Sequence, residues 1–180
     1  GNKVAVIGAG GIGFDVSEYL LKPEHQPQPQ PLAEWQREWG VDPNPNYMTE
    51  GGHVPAEVEA PIRQIYLMQR KTTPLGIGLG KTSGWVHRAQ LKKHAVRMMR
   101  GVQYKSVSNE GLWVEVNGHD QLLRVDTIVV CAGQESVKEL MPKEGESTLA
   151  SYHIIGGAKL AGELDAKRAI REGAEIAAIL

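Results

Sequence analysis

Residues 3–13, Lys3-Val-Ala-Val-Ile-Gly-Ala-Gly-Gly-Ile-Gly13, decide the fold. The apolar run Val4 to Ile7 reads as a buried strand. Gly8, Gly10 and Gly13 then fill the G-x-G-x-x-G spacing of a dinucleotide-binding turn. Gly8 permits the tight turn, Gly10 has no Cβ to hold a pyrophosphate at a distance, and Gly13 lets the following helix pack close to the sheet. Phe14, Val16, Tyr19 and Leu20 carry a helical pattern. Gly11 and Ile12 therefore stand at a helix N-terminus, where unpaired N–H groups and the helix dipole attract phosphate.

The flanking chain fits one α/β domain, or one domain and a piece of another. Ile62 to Gln69 reads as a second strand, and Thr72 to Gly84 as a glycine-rich loop. A helix from about Ser83 follows, capped by Thr82 or Ser83 and carrying Trp85, Val86, Ala89 and Leu91 inward. Short β-segments come next, at Arg97 to Met99 and Val102 to Val107. Leu112, Val114 and Val116 alternate, Asn117-Gly118 is a hairpin turn, and a strand returns near Gln121 to Val125. Thr127 to Cys131 reads as a buried parallel strand. After a poorly patterned link, 135–151, a last strand at Tyr152 to Ile155 and a helix running to Leu180 close the chain. The fold class expected is a Rossmann-like parallel α/β sheet with an antiparallel β-excursion.

Residues 23–61 break this pattern. Pro23, Pro27, Pro29, Pro31, Pro43, Pro45, Pro55 and Pro61 forbid a continuous helix or a central strand. One short helix, Leu32 to Trp39, survives the prolines, with Trp35 and Trp39 on one face. The reading favours a surface excursion packed by its tryptophans over a substrate-contacting lid.

The balance of charge narrows the function. Twenty Lys and Arg against twenty-one Asp and Glu leave a formal net charge of −1, which points to neither nucleic acid nor membrane. No apolar run is long enough to span a bilayer, and Lys3 leads straight into a strand, unlike a signal peptide. A start on Gly-Asn rather than Met is expected of a fragment. The single cysteine, Cys131, excludes an internal disulfide, a Cys-x-x-Cys centre or an iron–sulfur cluster held by this segment alone, and makes a reducing, cytoplasmic setting the default.

Gln69-Arg70-Lys71 stands where the second strand ends. NAD-binding domains usually place an acid there for the ribose 2′-OH, whereas two cations attract a 2′-phosphate. The pair reads as an NADP(H) preference, against the plainer reading of a solvated charge pair. Gly80-Lys81-Thr82 imitates the end of a Walker A loop, but Leu75 stands where its first glycine belongs, so a nucleotide triphosphatase is not expected. Arg88 is a candidate for phosphate or ribose, and His87 is read equally well as a packed or solvated histidine. The other histidines lack ligand spacing, so no metal is expected. No tyrosine–lysine pair, carboxylate dyad or activated nucleophile marks a catalytic centre.

Several stretches in order carry a resemblance: Val4 to Asp15, Met68-Gln-Arg-Lys71, Gly78-Leu-Gly-Lys-Thr-Ser-Gly-Trp-Val-His-Arg88, Cys131-Ala-Gly-Gln-Glu135, Ile155-Gly-Gly-Ala158 and Glu163 to Ala169. In them the chain resembles the C-terminal part of bacterial NADPH-dependent 2,4-dienoyl-CoA reductases. The resemblance implies an NADPH-binding domain over 1–150, including the proline-rich insertion, and the last segment of an FAD-binding domain over 151–180. It also implies partners in the same protein: the rest of the FAD domain, and an N-terminal barrel with FMN and a 4Fe–4S cluster. Hydride from NADPH would reach FAD, and electrons would pass through the cluster and FMN to an unsaturated acyl-CoA. By the same resemblance, Gly8, Gly10 and Gly13 hold the NADPH pyrophosphate and Arg70 and Lys71 the 2′-phosphate. Cys131, Ala132, Gly133 and Gln134 lie beside the nicotinamide half, and Gly156 and Gly157 approach FAD. This chain departs from the pattern at Ser136, where a proline is usual, and at Ala158-Lys159-Leu160, which lacks the aspartate of many flavin domains. The alternatives are the NADPH module of another flavin-dependent ene or amine oxidoreductase, and a non-catalytic nucleotide-sensing module.

Overall fold

The computed structural model describes residues 1–22, 30–44, 50–143, 145, 146, 150–162 and 164–180. Pro23, Pro27, Pro29, Pro45 and Glu163 lie outside the described residues. The chain forms two compact units, Gly1–Ala132 and Gly133–Leu180.

The first unit is built on a four-stranded parallel sheet, β1 (Lys3–Ile7), β2 (Gln64–Met68), β3 (Arg97–Met99) and β7 (Thr127–Val130), in the order β3-β2-β1-β7. Helices α1 (Gly11–Leu21) and α3 (Gly84–Lys93) cover one face. A three-stranded antiparallel sheet of β4 (Gln103–Ser108), β5 (Gly111–Val116) and β6 (His119–Leu123) completes the unit. Alternation along β1 and β2 explains the layering. Val4, Val6, Ile65 and Leu67 pack with Phe14, Leu21 and Leu91 of the helices. Ala5, Tyr66 and Met68 pack with Val102, Leu112, Val114 and Leu123 of the antiparallel sheet. Both faces of the central strands are therefore dry, which is why they read as unbroken apolar runs. The expected hairpin forms at Asn117-Gly118, both with positive φ, the geometry of a tight two-residue turn.

Five local expectations are corrected. Trp85 is 60% exposed, because its position on α3 points away from the sheet that buries Leu91. Ser83 occupies the N-cap position of α3, yet neither it nor Thr82 makes a side-chain cap. β7 is parallel as expected but only half-buried, since β1 is its one partner and it forms the sheet edge. In the second unit, Tyr152 to Ile155 forms no strand and pairs with none among the described residues. The final helix divides into α4 (Gly156–Lys159) and α5 (Ala166–Ala177). Asp165 caps α5 by accepting from Arg168 N, and the Arg168 side chain donates to the carbonyls of Leu160 and Gly162 across the break. α5 buries none of its residues, and Ile170 is 71% exposed.

Helix α2 (Leu32–Trp39) forms within the proline-rich excursion. The excursion leaves at the end of α1 and returns beside it: Ile62 N donates to Leu21 O, and Arg63 Nη1 to Leu20 O. Glu38 fixes α2 to the C-terminal end of α3. Its carboxylate accepts from Gln30 Nε2 at 3.0 Å, Gln90 Nε2 at 3.1 Å and Lys93 Nζ at 3.0 Å, with His94 Nε2 at 3.5 Å. Trp39 contributes a ring face to the Lys93 ammonium, 4.1 Å from its centroid. Burial pushes the Glu38 carboxyl upward, but the three hydrogen bonds and the Lys93 charge outweigh it and bring its pKa from 4.5 to about 2. The stabilisation is thus full above about pH 4.5 and lost as the pH falls toward 2. Glu38→Gln is expected to lower stability by about 2 kcal/mol near neutrality and by little near pH 2, as unfolding midpoints of the two chains at both pH values will show.

A candidate dinucleotide site at the carboxyl edge of the sheet

The chain runs from β1 outward through β2 to β3, then returns to place β7 on the other side of β1. That reversal falls between β1 and β7, and open α/β sheets take ligands outside the carboxyl ends of their strands at such a point. The glycine turn lies there. Gly8 has φ of +110°, and a Cβ there would stand 2.7 Å from the Cys131 carbonyl oxygen. Only glycine holds this turn against β7 without strain. Gly8 N donates to Met68 O and Cys131 N to Ile7 O, so the turn is tied to both neighbouring strands.

Gly10 is the N-cap of α1, with φ −83° and ψ −174°, and no side chain caps the helix. A Cβ built at Gly10 or Gly11 meets nothing within 4 Å. Gly11 and Ile12 are exposed, and no acid stands in the first turn. The result is open ground in front of unclaimed N–H groups at the positive end of an eleven-residue helix, the surroundings a pyrophosphate requires. Gly13 works inward: a Cβ there would overlap the Gly8 carbonyl oxygen and lie 3.4 Å from Leu67 Cδ1.

The tip of β2 supplies the second part. Arg70 and Lys71 are exposed. Gln69 is turned into the loop, its side-chain amide donating to the carbonyls of Lys71 and Thr73 at 3.1 and 2.6 Å. Its contribution is to shape the 70–73 turn. Backbone bonds from Gln69 N to Met99 O, Gly101 N to Lys71 O and Val102 N to Gln69 O join this tip to the end of β3. That junction brings up Arg100 from β3 and, from β4, Tyr104, whose hydroxyl is buried without a partner. Burial raises the Tyr104 pKa and the nearby Arg70 charge opposes the rise. Neither residue is a candidate from sequence alone, because only the strand pairing brings them to the Gln69–Lys71 tip.

The remaining candidates are placed as follows. Arg88 Nη1 donates to Gly76 O at 2.9 Å and anchors the glycine-rich loop, whose Leu75 enters the core. His87 Nδ1 meets Glu18 Oε1 at 2.8 Å, linking α3 to α1. Cys131 is half-buried at the end of β7, with its thiol pKa pushed up by burial, the opposite of an activated thiolate. Ala132 ends the first unit, and Gly133 and Gln134 open the second, both exposed. Within the second unit Gly156 N donates to Glu172 Oε2 at 2.6 Å, and a Cβ added at Gly157 would lie 3.0 Å from Leu164 Cδ2.

A cleft of about 340 Å³ in the first unit lies elsewhere. It is lined by Leu21, Ile62, His94 and residues of the excursion, at the end of the sheet where strands begin. Among the described residues no group of His, Cys, Asp and Glu has the spacing of a metal site, and no helix is long and apolar enough to cross a membrane.

Residues 1–156 match the sequence model of the family described as pyridine nucleotide-disulphide oxidoreductase. Among solved structures the chain is similar to a 2-naphthoyl-CoA reductase in complex with 2-naphthoyl-CoA, at 17% identity and a TM-score of 0.59, over 96% of this chain and 20% of that one. It is also similar to the bacillithiol disulfide reductase of Staphylococcus aureus, at 13% identity and a TM-score of 0.53, over 98% of this chain and 49% of that one. The chain thus spans from a fifth to about half of the length of these structures, and the likeness is one of fold.

Proposed function

The chain belongs to the pyridine nucleotide-disulphide oxidoreductase family, and from that premise we propose that it is the NADPH-binding module of a flavin-dependent oxidoreductase of the 2,4-dienoyl-CoA reductase kind. The observation that carries the nucleotide reading is the uncapped start of α1, with open space over Gly10 at the reversal of strand order. The residues fit the group: Gly10, Gly11 and Ile12 would hold the pyrophosphate, and Arg70 and Lys71 the 2′-phosphate. When bound, the nicotinamide supplies a hydride. This chain's residues bind and orient its carrier, and Cys131 and Ala132 flank the glycine turn from the β7 side.

The chain offers no dithiol, since Cys131 is its one cysteine. By the motif resemblance, substrate choice belongs to the barrel, outside these residues. FAD, FMN and a 4Fe–4S cluster enter this proposal through the motif resemblance, and a cytoplasmic location through the cysteine usage. Within this chain the Gly156 N–H is already taken by Glu172. Flavin copurification and NADPH-dependent dye reduction by the parent protein support the reductase reading, and their absence would favour a nucleotide sensor.

The direct experiment is a side-by-side titration with NADPH and NADH. NADPH is expected to bind more tightly. Arg70→Ala with Lys71→Ala is expected to remove about 1.5–3 kcal/mol of NADPH affinity, as lost charge-assisted hydrogen bonds do, and to spare NADH. Equal affinities of the unaltered chain for both nucleotides would overturn the NADPH assignment.

A further inference from the structure

We infer that Arg100, at the tip of β3, is a specificity-determining residue that grips the ribose 2′-phosphate from the side opposite Arg70, an assignment that rests on the NADPH reading above. β2 and β3 are paired in parallel through Met68 and Met99, and one more step of that register sets Arg100 beside Gln69. The three backbone bonds of 3.0 Å that continue past the strand ends hold Arg100 between Met99 and Gly101, both bonded to the Gln69–Lys71 tip. Gly101 has φ of +66° and turns the chain back immediately after Arg100, which leaves that residue at the crest of the junction.

Adjacent parallel strands lie about 4.8 Å apart, well within the reach of two arginine side chains converging on one phosphate. Both arginines are exposed, and among the described residues neither pairs with a carboxylate. Arg97, at the start of the same strand, is differently engaged, with its guanidinium 5.4 Å from the centre of the Tyr66 ring. Two cations brought to one tip repel, and an anion between them converts the repulsion into two attractions. Guanidinium forks suit a phosphate, with several oxygens to share between them. The 2′-phosphate is the anion that a dinucleotide lying across Gly10 would bring to the tips of β2 and β3, because the adenosine ribose is bound at the tip of the second strand.

The test separates the 2′-phosphate from the rest of the ligand by titrating the chain with 2′,5′-ADP and with 5′-AMP. Arg100→Gln is expected to weaken 2′,5′-ADP about tenfold while changing 5′-AMP less than about twofold, and Arg100→Lys to recover most of the loss. Unchanged 2′,5′-ADP binding in Arg100→Gln, or equal losses for both ligands, would overturn the role of Arg100 and leave the NADPH reading standing. An unaltered chain that binds 2′,5′-ADP no better than 5′-AMP, or binds neither, would overturn the NADPH reading and this inference with it. Arg100 is exposed, so an unchanged melting temperature is expected to accompany the affinity loss.

Discussion

Gly13→Ala is expected to cost on the order of 3 kcal/mol or more and to leave much of the chain unfolded at physiological temperature. The added methyl would overlap the Gly8 carbonyl oxygen, and its next neighbour is Leu67 at the centre of the helix-side core. A flexible side chain could swing away, but the Gly8 carbonyl belongs to a turn fixed at φ +110° against β7. Relief requires α1 to lift off the sheet, which strips cover from Val4, Val6 and Phe14 together. Ser17 would move with it, since its buried hydroxyl donates to Gly13 O at 2.7 Å. Chemical denaturation followed by circular dichroism measures the loss. A fully stable Gly13→Ala chain would show that the helix stands further from the strand than described.

Gly10→Val has the complementary expectation: a folded chain that binds neither NADPH nor NADH. The backbone at Gly10 is in the extended region, where a branched residue is unstrained, and the Cβ meets no protein atom within 4 Å. Stability should fall by no more than about 1 kcal/mol, the difference between glycine and valine as an N-cap. Binding should fall at least about a hundredfold, because the methyl groups fill the space through which a pyrophosphate reaches the N–H groups of α1. Gly10→Asp sharpens the comparison, since a carboxylate caps the helix favourably while excluding an anion by charge as well as bulk. It should therefore melt no lower than the unaltered chain and still fail to bind. Thermal melting and nucleotide titration on the same preparations check both halves, and retained binding by Gly10→Val would move the site away from the glycine turn.

These two glycines show what the sequence makes legible and what it does not. A strand, a glycine turn and a helix are written in local order. β1, α1 and the positions of Gly8, Gly10 and Gly13 could thus be read directly, as could the hairpin at Asn117-Gly118 and the helix Leu32–Trp39. Features that depend on pairing were hidden. Arg97 to Met99 is three residues of unremarkable composition, and its place beside β2 makes it a parallel strand and sets Arg100 beside Gln69. Tyr152 to Ile155 has strand composition, but residues without a partner strand stay irregular. Trp85 was read inward because large apolar residues usually face a core, whereas the orientation of α3 gives that role to Leu91. Glu38 carries no motif, and its four partners come from Gln30 and the far end of α3. Gln69 was a reasonable ligand candidate by position, but its amide serves the turn that presents Arg70 and Lys71.

The excursion that leaves at Leu21 and returns at Ile62 does so where strands begin, whereas the glycine turn, Arg70 and Arg100 gather where strands end. The two edges of one sheet are therefore separable under mutation. Descendants of this chain are free to lengthen, shorten or recruit a new partner to the proline-rich excursion while the opposite edge keeps its nucleotide, and a changed cofactor preference can arise at β2 and β3 without any answering change around Glu38.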